Sequence, residues 1–285
     1  MITAMTIIPL MDVCAKLLGQ SGIPIPQIIW GRLFFGVILI LPIAWRDVGI
    51  KMLLPAKIVF HICRAILLIA SSGFFFSAIS FIPIADSLAI FFVQPLIVTA
   101  LSPLLLKEYV GTKRWAAVAI GFGGTLIIIR PGLQEFNIGM ALALASGASM
   151  ALYTLITRKY ARNESPLMTT FHTTLLGLPI MSIVLPFVWK APSISEWELL
   201  VLLAAIGVFC HFLIARAYTM AEASLLAPLA YIEMVMATVA GWWFFSEMPD
   251  NWTMLGVSIL IACAIYICIN ENTPHSVAAQ EFEQP

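Results

Sequence analysis

The feature that most constrains this chain is the recurrence of apolar runs about 20 residues long. They fall near 2–19, 26–45, 58–81, 84–106, 112–129, 138–157, 167–189, 198–219, 224–245 and 252–270, separated by short connections marked by Pro, Gly or charge. A hydrocarbon core about 30 Å thick is crossed by about 20 helical residues, and backbone N–H and C=O groups inside it must pair within their own segment. The sequence therefore predicts an all-α integral membrane protein with ten transmembrane helices. Composition agrees, with 61% hydrophobic and 11% charged residues and a mean hydropathy of +0.99. Soluble domains carry about a quarter charged residues, so a soluble globular protein is excluded. Fifteen basic and fifteen acidic residues give a net charge of +0. Without a clustered excess of Lys and Arg to meet phosphates, nucleic acid is not an expected partner.

Several chemistries find no footing. Cys14, Cys63, Cys210, Cys263 and Cys268 sit singly in apolar stretches with no CxxC pair, a pattern of packing residues rather than of a disulfide framework or metal site. The four His are dispersed, and no HExxH, GxSxG or Walker-type loop occurs. No catalytic residue, cofactor, metal or built-in ATPase is expected. The first 19 residues are apolar but lack a basic leader and carry Asp12 and Lys16, so they read as a retained first helix rather than a cleaved signal peptide. Residues 271–285 are polar and acidic and read as a disordered cytoplasmic tail.

Orientation follows from the basic residues. Arg46, Lys51 and Lys57 follow helix two; Lys107, Lys113 and Arg114 follow helix four; Arg158, Lys159 and Arg162 follow helix six. The opposite face offers Arg130, Lys190 and Lys16. Basic loops are retained in the cytoplasm, so both termini are expected there, in a bacterial inner (plasma) membrane. Trp45, Trp115, Trp189, Trp197 and Trp252 lie near helix ends and suit an interfacial belt.

The second half echoes the first. Ala78, Ala85, Gln94 and Glu108 match Ala217, Ser224, Glu233 and Glu247 at a shift of 139, and a two-residue gap then aligns Trp115 with Trp252. Pro26 and Arg32 match Pro166 and His172 at a shift of 140. The chain divides into 1–131, 137–270 and the tail 271–285. Five helices is an odd number, so the second unit enters the bilayer upside down, and two inverted five-helix repeats result. Small residues suit close helix packing: Gly139, Ala143 and Gly147; Ala117 and Gly121; Ala237 and Gly241.

The stretches "MDVCAKLLG", "PQIIWGRLFFG" and "LAPLAYIEMVMATVAGWWFFSEMPD", with the tandem layout, resemble the drug/metabolite transporter superfamily with two EamA-type domains. The helix-nine stretch most resembles the group containing S-adenosylmethionine uptake transporters, and related sequences are associated with riboflavin import and metallophore export. The resemblance implies a secondary transporter that moves a small polar metabolite by alternating access. It leaves S-adenosylmethionine-like uptake and amino-acid-like or metallophore export both open. The short stretch before helix one departs from the family's pattern. An intramembrane enzyme is the alternative from another class, and it would need converging ligands or a nucleophile with a base.

A charge at the centre of a membrane helix costs about 2.5–3.5 kcal/mol, so each one invites a reason. Glu233 lies near the middle of helix nine and Gln94 at matching depth in helix four. Glu233 is either a hydrogen-bonded packing residue or a group that exchanges a proton or pairs with a cationic substrate. Asp12 and Lys16, spaced i, i+4, can pair with each other or hold a zwitterion. Arg32 and its mirror His172 can face a cavity, or Arg32 can snorkel outward; its guanidinium suits a carboxylate. Arg64 and Arg216 are expected to snorkel to the cytoplasmic headgroups, with gating or substrate contact as the alternative. Trp30, Tyr153 and Tyr231 can stack on a ring or cap a cation, with core packing as the alternative. The expected substrate or coupling site is Glu233, Gln94, Arg32, Asp12, Lys16, Tyr231, Trp30 and His172, with a small molecule, protons and the lipid bilayer as partners. Pro95 and Pro228 are expected to bend helices four and nine near that level.

Overall fold

A computed structural model describes residues 1–48, 55, 57–107, 111–129, 137–160, 166–220 and 231–271. Arg130, Arg162, Glu108, Ser224, Pro228, Lys51 and the tail beyond Glu271 lie outside the described residues, as does the side chain of Tyr231. The described residues contain helix and no strand. The segments are α1 (Ile2–Ile7), α2 (Pro9–Gln20), α3 (Ile25–Val48), α4 (Ile58–Ala78), α5 (Ile84–Phe91) and α6 (Gln94–Leu106). They continue as α7 (Thr112–Ile129), α8 (Ile138–Tyr160), α9 (Pro166–Val188), α10 (Ile194–Met220), α11 (Tyr231–Phe245) and α12 (Asn251–Glu271). Seven helices, counting α1 with α2 and α5 with α6, are long and apolar enough to cross a membrane, while Val118–Ile129, Ile232–Phe245 and Asn251–Cys263 are shorter apolar stretches. Their outer faces carry large apolar side chains such as Val59, Leu104, Ile183, Phe187 and Trp243, as lipid requires.

The first and fourth spans are each broken into two helices, with a proline in the first turn of the second piece, as expected of Pro95. Pro9 opens α2 and Pro95 lies in the first turn of α6; neither has an N–H to continue the ladder of the preceding segment. The break in the fourth span falls at Phe92 and Val93, one turn before Pro95. The carbonyl that Pro95 cannot bond is that of Phe91, and α8 comes close there: a Cβ on Gly147 would lie 2.7 Å from that oxygen. Pro42, Pro103, Pro179 and Pro186 sit inside continuous helices.

Helices from the two halves of the chain pack on each other. α4 runs along α8, α2 along α10, α3 along α9 and α7 along α12; α3 also meets α10, α4 meets α9, and α5 meets α11. Two non-glycine residues among those described have positive φ, Lys107 at 58° and Ser246 at 56°. Each follows the last residue of a helix, α6 or α11, and each precedes a glutamate in the sequence.

The α7–α12 crossing depends on absent side chains. A Cβ on Gly256 would lie 2.4 Å from Ile128 Cγ1 and 2.7 Å from the Gly124 carbonyl oxygen. Gly123, beside it, has nothing within 4 Å of its Cβ position. Gly256→Leu should therefore force the helices apart and cost about 1–3 kcal/mol, read as a lowered Tm of the purified protein in detergent, while Gly123→Leu should leave Tm unchanged.

Candidate functional site

A cavity of about 380 Å³ lies between α3, α4, α8, α9 and α10. Its walls use the middle of α3 (Arg32 to Ile43), the C-terminal part of α10 (Ala204 to Arg216) and the N-terminal half of α9 (Leu167 to Thr174), with Leu68, Met150 and Tyr153 at the sides. It therefore sits toward the face where α3, α8 and α10 end and exposed Lys57 and Lys159 lie. Small residues make the space: a Cβ on Gly207 would lie 3.8 Å from Arg32 Nε, and one on Gly36 3.4 Å from Thr174 Cγ2.

Arg32 stands in this cavity as the guanidinium in reach of two helices. One N–H donates to Ser72 Oγ on α4 at 2.9 Å, and another approaches His211 Nε2 on α10 at 3.4 Å. Two buried or half-buried carboxyls interact electrostatically in this part of the bundle. Asp12 of α2, 4% exposed, acts electrostatically on Arg32 and on Glu233 of α11. Glu233 also acts on Cys210 of α10. Gln94, its expected counterpart, donates instead to Thr154 Oγ1 of α8 at 3.3 Å.

Arg64 does not snorkel. It is 2% exposed and ties α4 to α8 and α9: it donates to Tyr153 Oη at 2.6 Å, Thr157 Oγ1 at 3.0 Å and the Thr169 carbonyl at 3.0 Å. The Tyr153 ring also lies 4.8 Å from its guanidinium carbon. A buried guanidinium needs such an acceptor set to offset its lost hydration. His172, expected to mirror Arg32, is buried against the His61 ring at 5.0 Å and does not line the cavity among the described residues.

The opposite end of these helices carries a cluster of aromatic rings and polar bonds. Trp30 stacks on Phe34 at 4.7 Å and meets Trp189 edge-on at 6.2 Å; Trp189 and Phe35 both contact Trp197. Trp30 Nε1–H donates to Ser182 Oγ at 3.0 Å. Gln27 and Lys190 exchange two bonds, Gln27 Nε2 donating to the Lys190 carbonyl at 2.7 Å and the Lys190 N–H to Gln27 Oε1 at 2.9 Å. Lys190 Nζ donates to the Ser21 carbonyl at 2.8 Å. On the same side, Lys16 pairs with Glu247 at 2.5 Å and lies 5.0 Å over the Phe245 ring. The other Glu247 oxygen accepts the Ile84 N–H at the start of α5. The Asp12–Lys16 pair that the i, i+4 spacing allows is replaced by this longer-range one, since Glu247 can serve both the ammonium and a helix N-terminus.

Of the expected site residues, Arg32 lines the cavity, Asp12 and Glu233 do not, though Asp12 acts electrostatically on both Arg32 and Glu233, and Lys16 and Trp30 lie at the other end. His211, Tyr153, Thr170, Thr173 and Thr174 line the cavity too. His211 and the threonines were not singled out as site residues; the threonine run "MTTFHTT" in an apolar helix was the available signal. Among the described residues no group of three or more His, Cys, Asp or Glu could hold a metal. Because Lys16 is buried, Glu247→Gln should lower stability by about 1–3 kcal/mol. Lys16→Met combined with Glu247→Leu should recover most of it, measured as Tm of each variant.

Residues 1–130 and 137–269 each match the model of the EamA-like transporter family. The S-adenosylmethionine uptake transporter of Rickettsia bellii is 28% identical over 92% of this chain and 89% of its own length. The riboflavin transporter of Vibrio cholerae is 27% identical over 87% and 84%, and the pseudopaline exporter of Pseudomonas aeruginosa 26% over 86% and 87%. One crystal structure, 19% identical, superposes over 99% of both chains with a TM-score of 0.58, a likeness of fold.

Proposed function

Since the chain belongs to the EamA-like transporter family, we propose that it is a secondary transporter that carries a small polar metabolite across the bacterial inner membrane by alternating access, gradient- or proton-coupled. S-adenosylmethionine-like solutes are the first to test. The observation that carries this reading is the one-sided cavity: open space around Arg32 toward one face, and aromatic packing with the Gln27–Lys190 latch at the other. A carrier caught in one of its two states has this asymmetry, whereas an enzyme site has no need of it.

Ten spans in two inverted repeats fit the same reading. Lys107 and Ser246, the two positive-φ residues, are 139 positions apart, the shift that aligns Gln94 with Glu233. The helix contacts also exchange into one another when each of the first five spans is swapped for its counterpart: α4 on α8 for α10 on α2, α3 on α10 for α9 on α4, with α3–α9 and α7–α12 mapping onto themselves. Nine basic residues in three connections support a cytoplasmic position for both termini, and in that orientation the cavity faces inward. Trp30, Lys16, Gln27 and Lys190 then form the closed outer gate.

Asp12, Glu233 and Arg32 are the proposed coupling group. Two carboxyls and one guanidinium carry a charge imbalance of one, which a single exchangeable proton removes. Gln94 and Tyr231 belong to the same level through the repeat, and His172 supports the α4–α9 contact. The pseudopaline exporter among the relatives favours a second reading, in which the same cycle runs outward.

Proteoliposomes loaded with S-adenosylmethionine should take up labelled S-adenosylmethionine by counterflow. Glu233→Gln should reduce uptake to background at normal expression; full activity in that variant removes Glu233 from the mechanism. Gly207→Leu, which adds bulk between Arg32 and Met11, should also lower uptake by more than about tenfold, with Tm measured beside it to separate lost space from lost stability.

A further inference from the structure

The hydroxyls that line the cavity divide by where their protons go. Thr173 Oγ1 donates to the Thr169 carbonyl at 2.7 Å and Thr174 Oγ1 to the Thr170 carbonyl at 2.9 Å, so both protons are spent inside α9. Tyr153 of α8 is the opposite case. Its Oη accepts the Arg64 Nη2–H at 2.6 Å, and among the described residues its own proton has no acceptor. A phenol can give a hydrogen bond as well as take one, and out of bulk water it ordinarily finds a partner. Tyr153 is half-buried and lines the cavity from α8, whereas Arg32 and His211 line it from α3 and α10.

Arg64 does not line the cavity among the described residues, so it acts there through Tyr153. The guanidinium is itself fixed by several groups. Nε donates to Thr157 Oγ1 at 3.0 Å, Nη1 donates to the Thr169 carbonyl at 3.0 Å, and the Phe60 ring lies 5.4 Å from the guanidinium carbon. Thr157 follows Tyr153 by four residues, so the two share a face of α8, and Arg64 holds both. The guanidinium carbon also lies over the Tyr153 ring at 4.8 Å. One buried cation therefore holds the ring and the hydroxyl together. A charge-assisted bond into Oη polarises the remaining O–H and makes its proton a stronger donor.

We infer that Tyr153 is a solute-contacting residue whose O–H donates to an acceptor atom of the bound solute, and that Arg64 is the positioning residue that holds the ring and aims this proton into the cavity. The assignment rests on the reading of this cavity as the solute site. It adds a contact on the α8 wall and a buried residue that acts only through it.

S-adenosylmethionine is the probe, read by counterflow in proteoliposomes and by calorimetric titration of the protein in phosphatidylcholine nanodiscs. Tyr153→Phe keeps the ring and removes the donor, so KM and Kd should rise about three- to tenfold while Vmax stays within about twofold. Arg64→Lys keeps the charge but cannot serve Tyr153, Thr157 and Thr169 together. Its Kd should rise in the same range, and the double variant should bind no more weakly than Tyr153→Phe alone, because the two residues act as one unit. If Arg64→Lys gives no folded protein, Thr157→Val, which removes the acceptor of Nε, takes its place in the cycle. A lowered Tm with unchanged Kd in Tyr153→Phe means that the hydroxyl serves the scaffold alone, and it overturns the inference. Effects that multiply in the double variant overturn the positioning role of Arg64. Binding that weakens in Tyr153→Phe without counterflow in the wild type retains the inference and removes the transport reading; counterflow with equal Kd in both proteins does the reverse. Neither binding nor counterflow in the wild type removes both.

Discussion

Everything in this structure depends on the rule that a backbone crossing hydrocarbon must satisfy its own hydrogen bonds. The rule makes the chain helical, and it also decides where departures from helix are tolerated. Both breaks fall at prolines, and both are buried inside the bundle rather than turned to lipid. Ala4 and Pro9 flank the first in buried positions. At the second, buried Ile90 and Val93 flank the gap and α8 closes on the free carbonyl of Phe91 through Gly147. A side chain at Gly147 would expose that carbonyl to hydrocarbon, so the glycine and the proline are two halves of one device.

The same rule sorts the polar side chains. In lipid, helices gain nothing from hiding apolar surface from one another, so close packing and interhelical hydrogen bonds hold them. The Arg64 network ties α4 to α8 and α9, Ser71 and Ser146 exchange bonds between α4 and α8, and Gln27 with Lys190 joins α3 to the end of α9. Arg32 differs from all of these. It reaches from α3 to α4 and α10 and, among the described residues, makes two such contacts while lining the cavity.

Much of this was legible in the sequence, and the limits follow a pattern. The long apolar helices, the small-residue contacts at Gly139, Gly147 and Gly121 and the attention to Arg32, which lines the cavity, all came from local pattern and from the cost of placing charge in a bilayer. What misled was reasoning about partners. Asp12 and Lys16 lie one turn apart and invite a pair, but Lys16 finds Glu247, 231 residues away in the chain. Arg64 lies near a helix end and invites snorkelling, but its side chain turns inward to Tyr153, Thr157 and Thr169. His211 reads as an ordinary lone histidine until α10 crosses α3 and sets it against Arg32.

The sequence alone determined that the chain is built of long apolar helices and that its halves echo each other. Those are consequences of composition, of apolar runs about one span long and of a shift of 139 residues, which are read along the chain without knowing what touches what. Tertiary structure decided which side chains meet, which end of the bundle is open, and that Arg32 rather than Glu233 lines the cavity. Hydrogen bonds and shape complementarity are short-ranged, and the partners that satisfy them here come from opposite halves of the chain, so they exist only once the helices have crossed.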